Sequence, residues 1–189
     1  DPKTPDEFRI LSQSRGSAKV RVIEIIKDQI TTKESEHNLK VDNNEIMPDI
    51  SKDVLKIAVV ERYGQNRVAN AFVKGISLKK GALALSIAHD SHNIISIGTN
   101  KEDMARAVNR VIRFRGGLAV VVENEVTGLE LPLAGLMSSK PAHWVRDNLI
   151  TAARKLTEIG CGLASPFMTI SFLALPVIPD LKLSDKGLF

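Results

Sequence analysis

The chain has 189 residues, of which 43% are hydrophobic and 25% are charged, and its formal net charge is +4. This length can bury a sizeable core, and the composition excludes a disordered protein. No apolar run is long enough for a membrane span, and the basic balance favours anionic partners without naming one. The single cysteine, Cys161, predicts a reducing compartment and hence a cytoplasmic protein.

The first part of the chain predicts a linker followed by an incomplete sheet. Residues 1–16 carry two prolines and scattered charges, as is typical of a linker leading into a domain. The segment KVRVIEIIKDQITTK predicts two strands with a turn at Asp28 and Gln29. Because two short strands are not stable alone, residues 17–49 are expected to complete a sheet elsewhere.

From residue 50 onward the pattern predicts one α+β (mixed α/β) domain in which strands outnumber helices. Alternation at residues 82–88 places Leu83 and Leu85 on one face and small side chains on the other, which would let another layer approach closely. Thr99 and Glu102 have capping-box spacing before a first helix. A second helix is predicted from Pro141 to Gly160, and an irregular buried tail follows it.

The candidate site residues are the consecutive His89, Asp90, Ser91, His92 and Asn93. Adjacent residues point in divergent directions, so they cannot form a Ser-His-Asp triad by themselves. Three interpretations stay open: a hairpin loop whose Asp and Asn side chains bond its own backbone, a metal site in a tightly curled loop, and a loop that presents imidazoles and a carboxylate to a ligand or a neighbouring domain. The sequence alone favours the hairpin loop.

Other suggestive patterns have simpler explanations. Arg106, Arg110 and Arg113 share one helix face, which could bind phosphates but is more typical of a solvated surface. The segment GCGLAS follows a helix, so Gly160 is predicted to cap that helix and not to begin a dinucleotide loop. Cys161 is predicted to be a buried structural thiol, and the isolated His37 and His143 carry no chemistry.

Metal-hydrolase signatures are missing from the sequence. There is no HExxH, no P-loop, no His-x-His pair and no zinc deaminase signature. No catalytic residue is therefore assigned in this chain. Any metal needed for hydrolysis would have to be held by residues outside it.

Several long motifs together carry a family resemblance. The segment at residues 87–112 reads IAHDSHNIISIGTNKEDMARAVNRVI. The motif NAFVKG precedes it, and LPLAGLMS and PFMTISFLALPVIPDLKLSDKGL follow it, which is the order in the family. The chain resembles the C-terminal region of the bacterial and archaeal adenine deaminases of the amidohydrolase superfamily. The resemblance covers most of residues 20–188, and the start of the chain on Asp1 is likewise expected of a fragment.

The resemblance implies an activity that composition does not indicate. Full-length members convert adenine and water to hypoxanthine and ammonia in a barrel, where manganese or iron activates the attacking water. It also implies that residues 17–49 are returning strands of a small β-sandwich beside that barrel, and that residues 50–189 are the C-terminal α+β domain. The loop at residues 89–93 would then face the barrel mouth and help to close or order the active site.

The implied partners are adenine, the catalytic barrel and further copies of the chain, with no nucleic acid and no membrane. One alternative is a free-standing accessory domain that binds a purine or a protein partner without chemistry. Another is a purely structural lid or oligomerisation domain. Adenine binding to the isolated chain would separate these two alternatives.

Overall fold

One large mixed sheet organises the α+β fold of the chain. The computed structural model describes residues 1–189. The strands are β1 (Ser17–Ile25), β2 (Thr32–Asp42), β3 (Glu45–Ile46), β4 (Val54–Val60), β5 (Val68–Lys74), β6 (Ala82–Leu85), β7 (Ile94–Gly98), β8 (Gly117–Val122), β9 (Glu125–Glu130), β10 (Leu183–Ser184) and β11 (Gly187–Leu188). The helices are α1 (Lys101–Arg113), α2 (Ala142–Glu158) and α3 (Pro166–Ser171).

The large sheet has the strand order β3-β2-β1-β5-β4-β7-β6-β8-β9. All its neighbouring strands are antiparallel except β1 and β5, which pair in parallel with Ile23 opposite Val73. Strand β4 lies inside the sheet, and all seven of its residues are buried. Such complete burial explains its nearly continuous apolar sequence.

The N-terminal strands extend one end of this sheet. Strands β1 and β2 form a long hairpin from Ser17 opposite Lys40 to Ile25 opposite Thr32, and the parallel pairing with β5 joins it to the rest. The segment before them lies against the same body, because Phe8 is fully buried. The assignment of residues 1–16 to a linker and of 17–49 to a barrel-flanking β-sandwich stays a prediction.

Helices cover both faces of the sheet. Helix α1 packs on one face against small side chains of β6 and β8, including Ala82, Ala84 and Ala119. The other face carries Leu83 and Leu85 and packs against α2, α3 and the C-terminal segment. As the alternation in β6 predicted, another layer packs on the face that carries the small side chains. A side-chain carbon added to Gly98 would lie 2.6 Å from Met104 Cγ, so α1 approaches the sheet closely.

Helix α1 starts one residue later than the sequence predicted. Its N-cap is Asn100, whose side chain accepts a hydrogen bond from the Asp103 N–H at 2.7 Å. The predicted Thr99 and Glu102 capping box is therefore wrong. Thr99 instead donates its hydroxyl to the Gly81 carbonyl at 3.1 Å. Asparagine is as good an N-cap as threonine, so spacing alone did not separate the two positions.

Helix α2 begins after Pro141 and ends at a Schellman motif, as predicted for Gly160. The Gly160 N–H donates to the Thr157 carbonyl at 3.0 Å, and the Cys161 N–H donates to the Leu156 carbonyl at 2.9 Å. The predicted irregular tail is only partly correct. It contains the short helix α3 and the β10–β11 hairpin, and Val177 within it is 82% exposed.

Candidate functional site

The candidate residues lie in the loop that joins β6 to β7. These two strands are antiparallel neighbours with Leu85 opposite Ile95, so the loop belongs to a hairpin, as the sequence favoured. The backbone N–H of His92 donates to the Ala88 carbonyl at 2.8 Å, and His92 has a left-handed φ of 53°. The His89 N–H donates to the Ser171 carbonyl at 3.0 Å, which ties the loop to α3.

Three distant side chains anchor this loop. Arg62 Nε donates to the His92 carbonyl at 2.7 Å, and the Tyr63 hydroxyl donates to the Ser91 carbonyl at 2.7 Å. The Asn93 amide donates to Asp185 Oδ1 at 3.4 Å. Asn93 therefore bonds a residue of the C-terminal hairpin and, at 3.3 Å, the Ser91 hydroxyl, where the sequence predicted bonding to the loop backbone.

Sequence reasoning missed Arg62, Tyr63 and Asp185 as residues of this site. Arg62 and Tyr63 follow β4, which is the neighbour of β7 in the sheet, and this pairing brings them next to the loop. Asp185 lies between β10 and β11 and also forms an ion pair with Arg67. The only available signal was the apolar run of β4, which ends just before two long polar side chains.

The loop's own side chains separate into two groups. The His89 ring lies with its centroid 5.0 Å from the Phe172 ring and 5.7 Å from the His92 ring. His92 Nδ1 and Asn93 Oδ1 are buried without a hydrogen-bond partner in the protein. Asp90 and Ser91 are exposed. The two imidazoles thus share one environment, and the carboxylate and hydroxyl face solvent.

The arrangement does not supply a metal centre. No group of three or more His, Cys, Asp and Glu side chains is placed to hold a metal ion. His89 and His92 could provide two nitrogen ligands, whereas a stable site for a divalent transition metal needs three or four convergent ones. The residues of this chain therefore do not fit the manganese or iron that the resemblance implies.

An apolar groove of about 550 Å³ lies beside the loop, between the sheet, α2 and α3. Its lining includes His89, Ile87, Leu136, Phe167 and the exposed apolar residues Leu149, Ile150 and Met168. Met168 is 58% exposed and Ile150 is 48% exposed. Contiguous apolar surface that is exposed in this way is a candidate interaction surface.

The remaining candidates lie away from this groove. Cys161 is buried, and burial raises the pKa of its thiol, which keeps it protonated and unreactive. His37 lies on β2, and His143 lies exposed in the first turn of α2; neither lines the groove. No helix has the length and apolar character needed to cross a membrane.

The fold and the site together define an α+β domain with an anchored polar loop beside an exposed apolar groove. Residues 29–189 match the family described as the adenine deaminase C-terminal domain, and the chain belongs to that family. Similar proteins include the adenine deaminase of Methanosphaera stadtmanae, at 44% identity over 98% of this chain, and that of Brucella anthropi, at 48% identity over 92%.

The chain is also similar to the adenine deaminase of Methanococcoides burtonii, at 43% identity over its whole length. It spans about one third of each of these relatives: 34%, 31% and 33% of their lengths. The family resemblance seen in the sequence is thereby confirmed.

Proposed function

We propose that this chain is the C-terminal part of an adenine deaminase whose full-length form converts adenine and water to hypoxanthine and ammonia. The family match over residues 29–189 and the names of the three similar proteins support this proposal. On this view the chain alone is inactive. The catalytic groups lie in the two thirds of the enzyme that this sequence does not cover.

Any manganese or iron of the full-length enzyme would be held by those other residues. The loop offers two imidazoles at a centroid distance of 5.7 Å and one exposed carboxylate, and these three groups do not converge on one point. This chain therefore contributes contacts to the substrate or to the interface, and it excludes water. It does not activate a nucleophile.

The single observation that carries the proposed role is the apolar groove next to the anchored loop. Burying Leu149, Ile150 and Met168 against a catalytic domain would remove exposed apolar surface from water, at about 25 cal/mol per Å². The same docking would bring His89 to the interface, because His89 lines the groove. The loop would then help to close or order the active site of that domain.

The anchoring of the loop supports a positioning role. Arg62 and Tyr63 after β4 and Asp185 in the C-terminal hairpin hold it from two separate segments, so the loop is ordered before any partner binds. A preorganised loop spends less binding energy on ordering itself than a flexible one. His89, Asp90, Ser91, His92 and Asn93 are therefore proposed as contacts to the substrate or to the interface, without an assigned proton transfer.

A chimera tests the proposed activity directly. This chain would replace the matching third of the Methanosphaera stadtmanae enzyme, and adenine deamination would be measured for the chimera and for the isolated chain. We expect activity in the chimera only. Deamination by the isolated chain would show that its own residues complete a catalytic centre and would overturn the proposal.

Variants of the same chimera test the loop. His89→Ala and His92→Ala are expected to lower turnover without changing the thermal midpoint, whereas His37→Ala on β2 serves as a matched control. Met168→Asp is expected to weaken the association of this domain with the rest, and Val177→Asp, at a more exposed apolar residue outside the groove, is its control. Unchanged kinetics in both histidine variants would remove the loop from the mechanism.

The groove also favours a second candidate function, a purine-binding accessory domain without chemistry. Its volume of about 550 Å³ lies within the range of small-molecule sites. Calorimetry with adenine and the isolated chain decides between the two: micromolar binding would support the accessory domain, and no binding would favour a docking surface.

The assembly and the location of the protein are further proposals. A homo-oligomer would also bury part of the exposed apolar surface, and light scattering measures this assembly. A cytoplasmic location rests on the single buried thiol of Cys161, and fractionation of cells tests it.

A further inference from the structure

A cavity of about 290 Å³ lies between α1 and the turn that joins β8 to β9, away from the loop and the apolar groove. Six residues line it: Arg106, Asn109, Arg110, Arg113, Asn124 and Val126. Five of these are cationic or amide side chains and none is acidic. The cavity therefore presents hydrogen-bond donors and positive charge to solvent.

Two of the three arginines are not neutralised within the protein. Arg106 forms an ion pair with Asp103 at 3.2 Å and donates to the Glu123 carbonyl. Arg110 and Arg113 form no ion pair, and the Arg110 guanidinium lies over the Phe114 ring at 5.6 Å from its centroid. Stacking on Phe114 orders this guanidinium without using its donors.

A neighbouring cavity on the other side of the β8–β9 turn provides a contrast. It is lined by both lysines and glutamates, and these neutralise each other: Lys80 pairs with Glu123 at 2.8 Å, and Lys155 pairs with Glu125 at 2.6 Å. In the arginine cavity only Arg106 has such a partner, Asp103. Arginines spaced by three or four residues on one helix face also repel each other, so an anion bound between them relieves an unfavourable interaction.

We propose that this cavity is a binding site for a phosphate group of a small molecule. Guanidinium groups bind phosphate through paired N–H donors, which a solvated lysine cannot reproduce. A cavity of about 290 Å³ has room for a phosphate or diphosphate group. A nucleic acid is disfavoured because no aromatic side chain in the lining could stack on a base.

The site is independent of the adenine chemistry proposed above. Arg110 and Arg113 are in the last turn of α1, where positive charge also interacts favourably with the helix dipole. That purely structural role predicts a loss of stability on substitution but no phosphate binding. Ligand binding and stability therefore have to be measured separately.

The test uses calorimetry and phosphorus NMR of the whole chain with inorganic phosphate and with pyrophosphate, at constant ionic strength. We expect saturable binding that the double variant Arg110→Gln and Arg113→Gln weakens by about tenfold or more, because charge-assisted donors are lost. Arg146→Gln and Arg154→Gln on α2 remove the same charge elsewhere and serve as the control. Pyrophosphate should bind more tightly than phosphate.

Equal binding in the wild type, the arginine variant and the control would mean non-specific charge attraction and would overturn the site. Binding of single-stranded DNA that needs these arginines, in the absence of phosphate binding, would also overturn the small-anion proposal. If the double variant does not fold, Arg113→Gln alone gives the test, because Arg113 is exposed.

Discussion

The guanidinium of Arg62 holds the backbone of His92, with Nε donating to the carbonyl oxygen at 2.7 Å across 30 residues of sequence. The same guanidinium donates from Nη2 to the Ala134 carbonyl. Arg62 thus connects the candidate loop to the segment between β9 and α2, which forms one edge of the apolar groove through Leu136.

Replacing Arg62 by methionine should loosen the loop while keeping most of the aliphatic volume. Loss of two donated hydrogen bonds is expected to lower the free energy of unfolding by about 1–3 kcal/mol. Hydrogen exchange should become faster at residues 89–93 and 133–137. Arg154→Met, a change at an exposed arginine of α2, is the control, and equal exchange in the two variants would contradict the anchoring role.

Gly116 is predicted to be irreplaceable because of a backbone contact with Gly135. Its φ is +123°, and an added side-chain carbon would lie 2.1 Å from Gly135 Cα. Gly135 in turn packs against the Arg62 guanidinium, so Gly116→Ala should displace both. We expect destabilisation by about 2 kcal/mol or more in urea unfolding.

Gly64→Ala separates the contact from backbone strain. Gly64 has a similar φ of +110°, but an added carbon there meets nothing within 4 Å. Gly64→Ala should therefore lower the free energy of unfolding only by the backbone strain of alanine at positive φ, about 1–2 kcal/mol. If the two alanine variants are equally stable, the contact with Gly135 has no energetic role.

Local patterns were sufficient to predict much of this fold. Alternation in β6 correctly separated Leu83 and Leu85 from Ala82 and Ala84, because a strand has a period of two. The glycine at the end of α2 was also identified correctly, since a left-handed residue is needed there. Both signals lie within a few residues of the feature that they predict.

Long-range pairing was beyond such patterns. The parallel contact of β1 with β5 joins residues about fifty positions apart, and nothing in either strand specifies its partner. The anchors of the loop, Arg62 and Asp185, were missed for the same reason. A polar side chain that follows a strand can either face solvent or contact a neighbouring loop. Only the order of strands in the sheet distinguishes the two.

Glu45 is expected to stabilise the fold in a pH-dependent way. Its carboxylate accepts from Lys101 Nζ at 2.7 Å, from Arg9 Nε at 3.2 Å and from the buried Lys56. Burial alone would raise the pKa of Glu45, but hydrogen bonds from Lys101 and Lys56 and their charges outweigh it and hold the pKa below 4.5. Glu45→Gln leaves Lys56 buried without its counter-charge and should cost about 3–5 kcal/mol at neutral pH.

Because the folded pKa of Glu45 is lowered, its contribution is present above the unfolded pKa and is lost as the pH falls through the folded value. The difference in unfolding free energy between wild type and Glu45→Gln should therefore shrink below pH 4.5. Glu36→Gln, which breaks an exposed pair with Lys19, should change little at any pH. A difference that is independent of pH would contradict the assignment.

Lys182 makes the stability depend on pH in the alkaline range. Its side chain is fully buried, and its ammonium donates to the Ile30 carbonyl and to Thr32 Oγ1, both at 3.0 Å. Burial lowers its pKa from 10.5 to about 8, and the charge of Asp180 offsets part of this effect. The folded protein therefore binds fewer protons than the unfolded chain between these two values, and stability rises with pH across that window.

Lys182→Met removes the buried charge and should abolish this rise. Near neutral pH the variant should have a higher free energy of unfolding than the wild type, by a difference on the order of 1–3 kcal/mol. This difference should disappear towards about pH 10. Urea unfolding at several pH values measures the difference, with the exposed Lys186→Met as the control. Parallel stability curves for wild type and Lys182→Met would show that Lys182 keeps its ordinary pKa in the folded chain, because the hydrogen bonds to Ile30 and Thr32 would then compensate for burial.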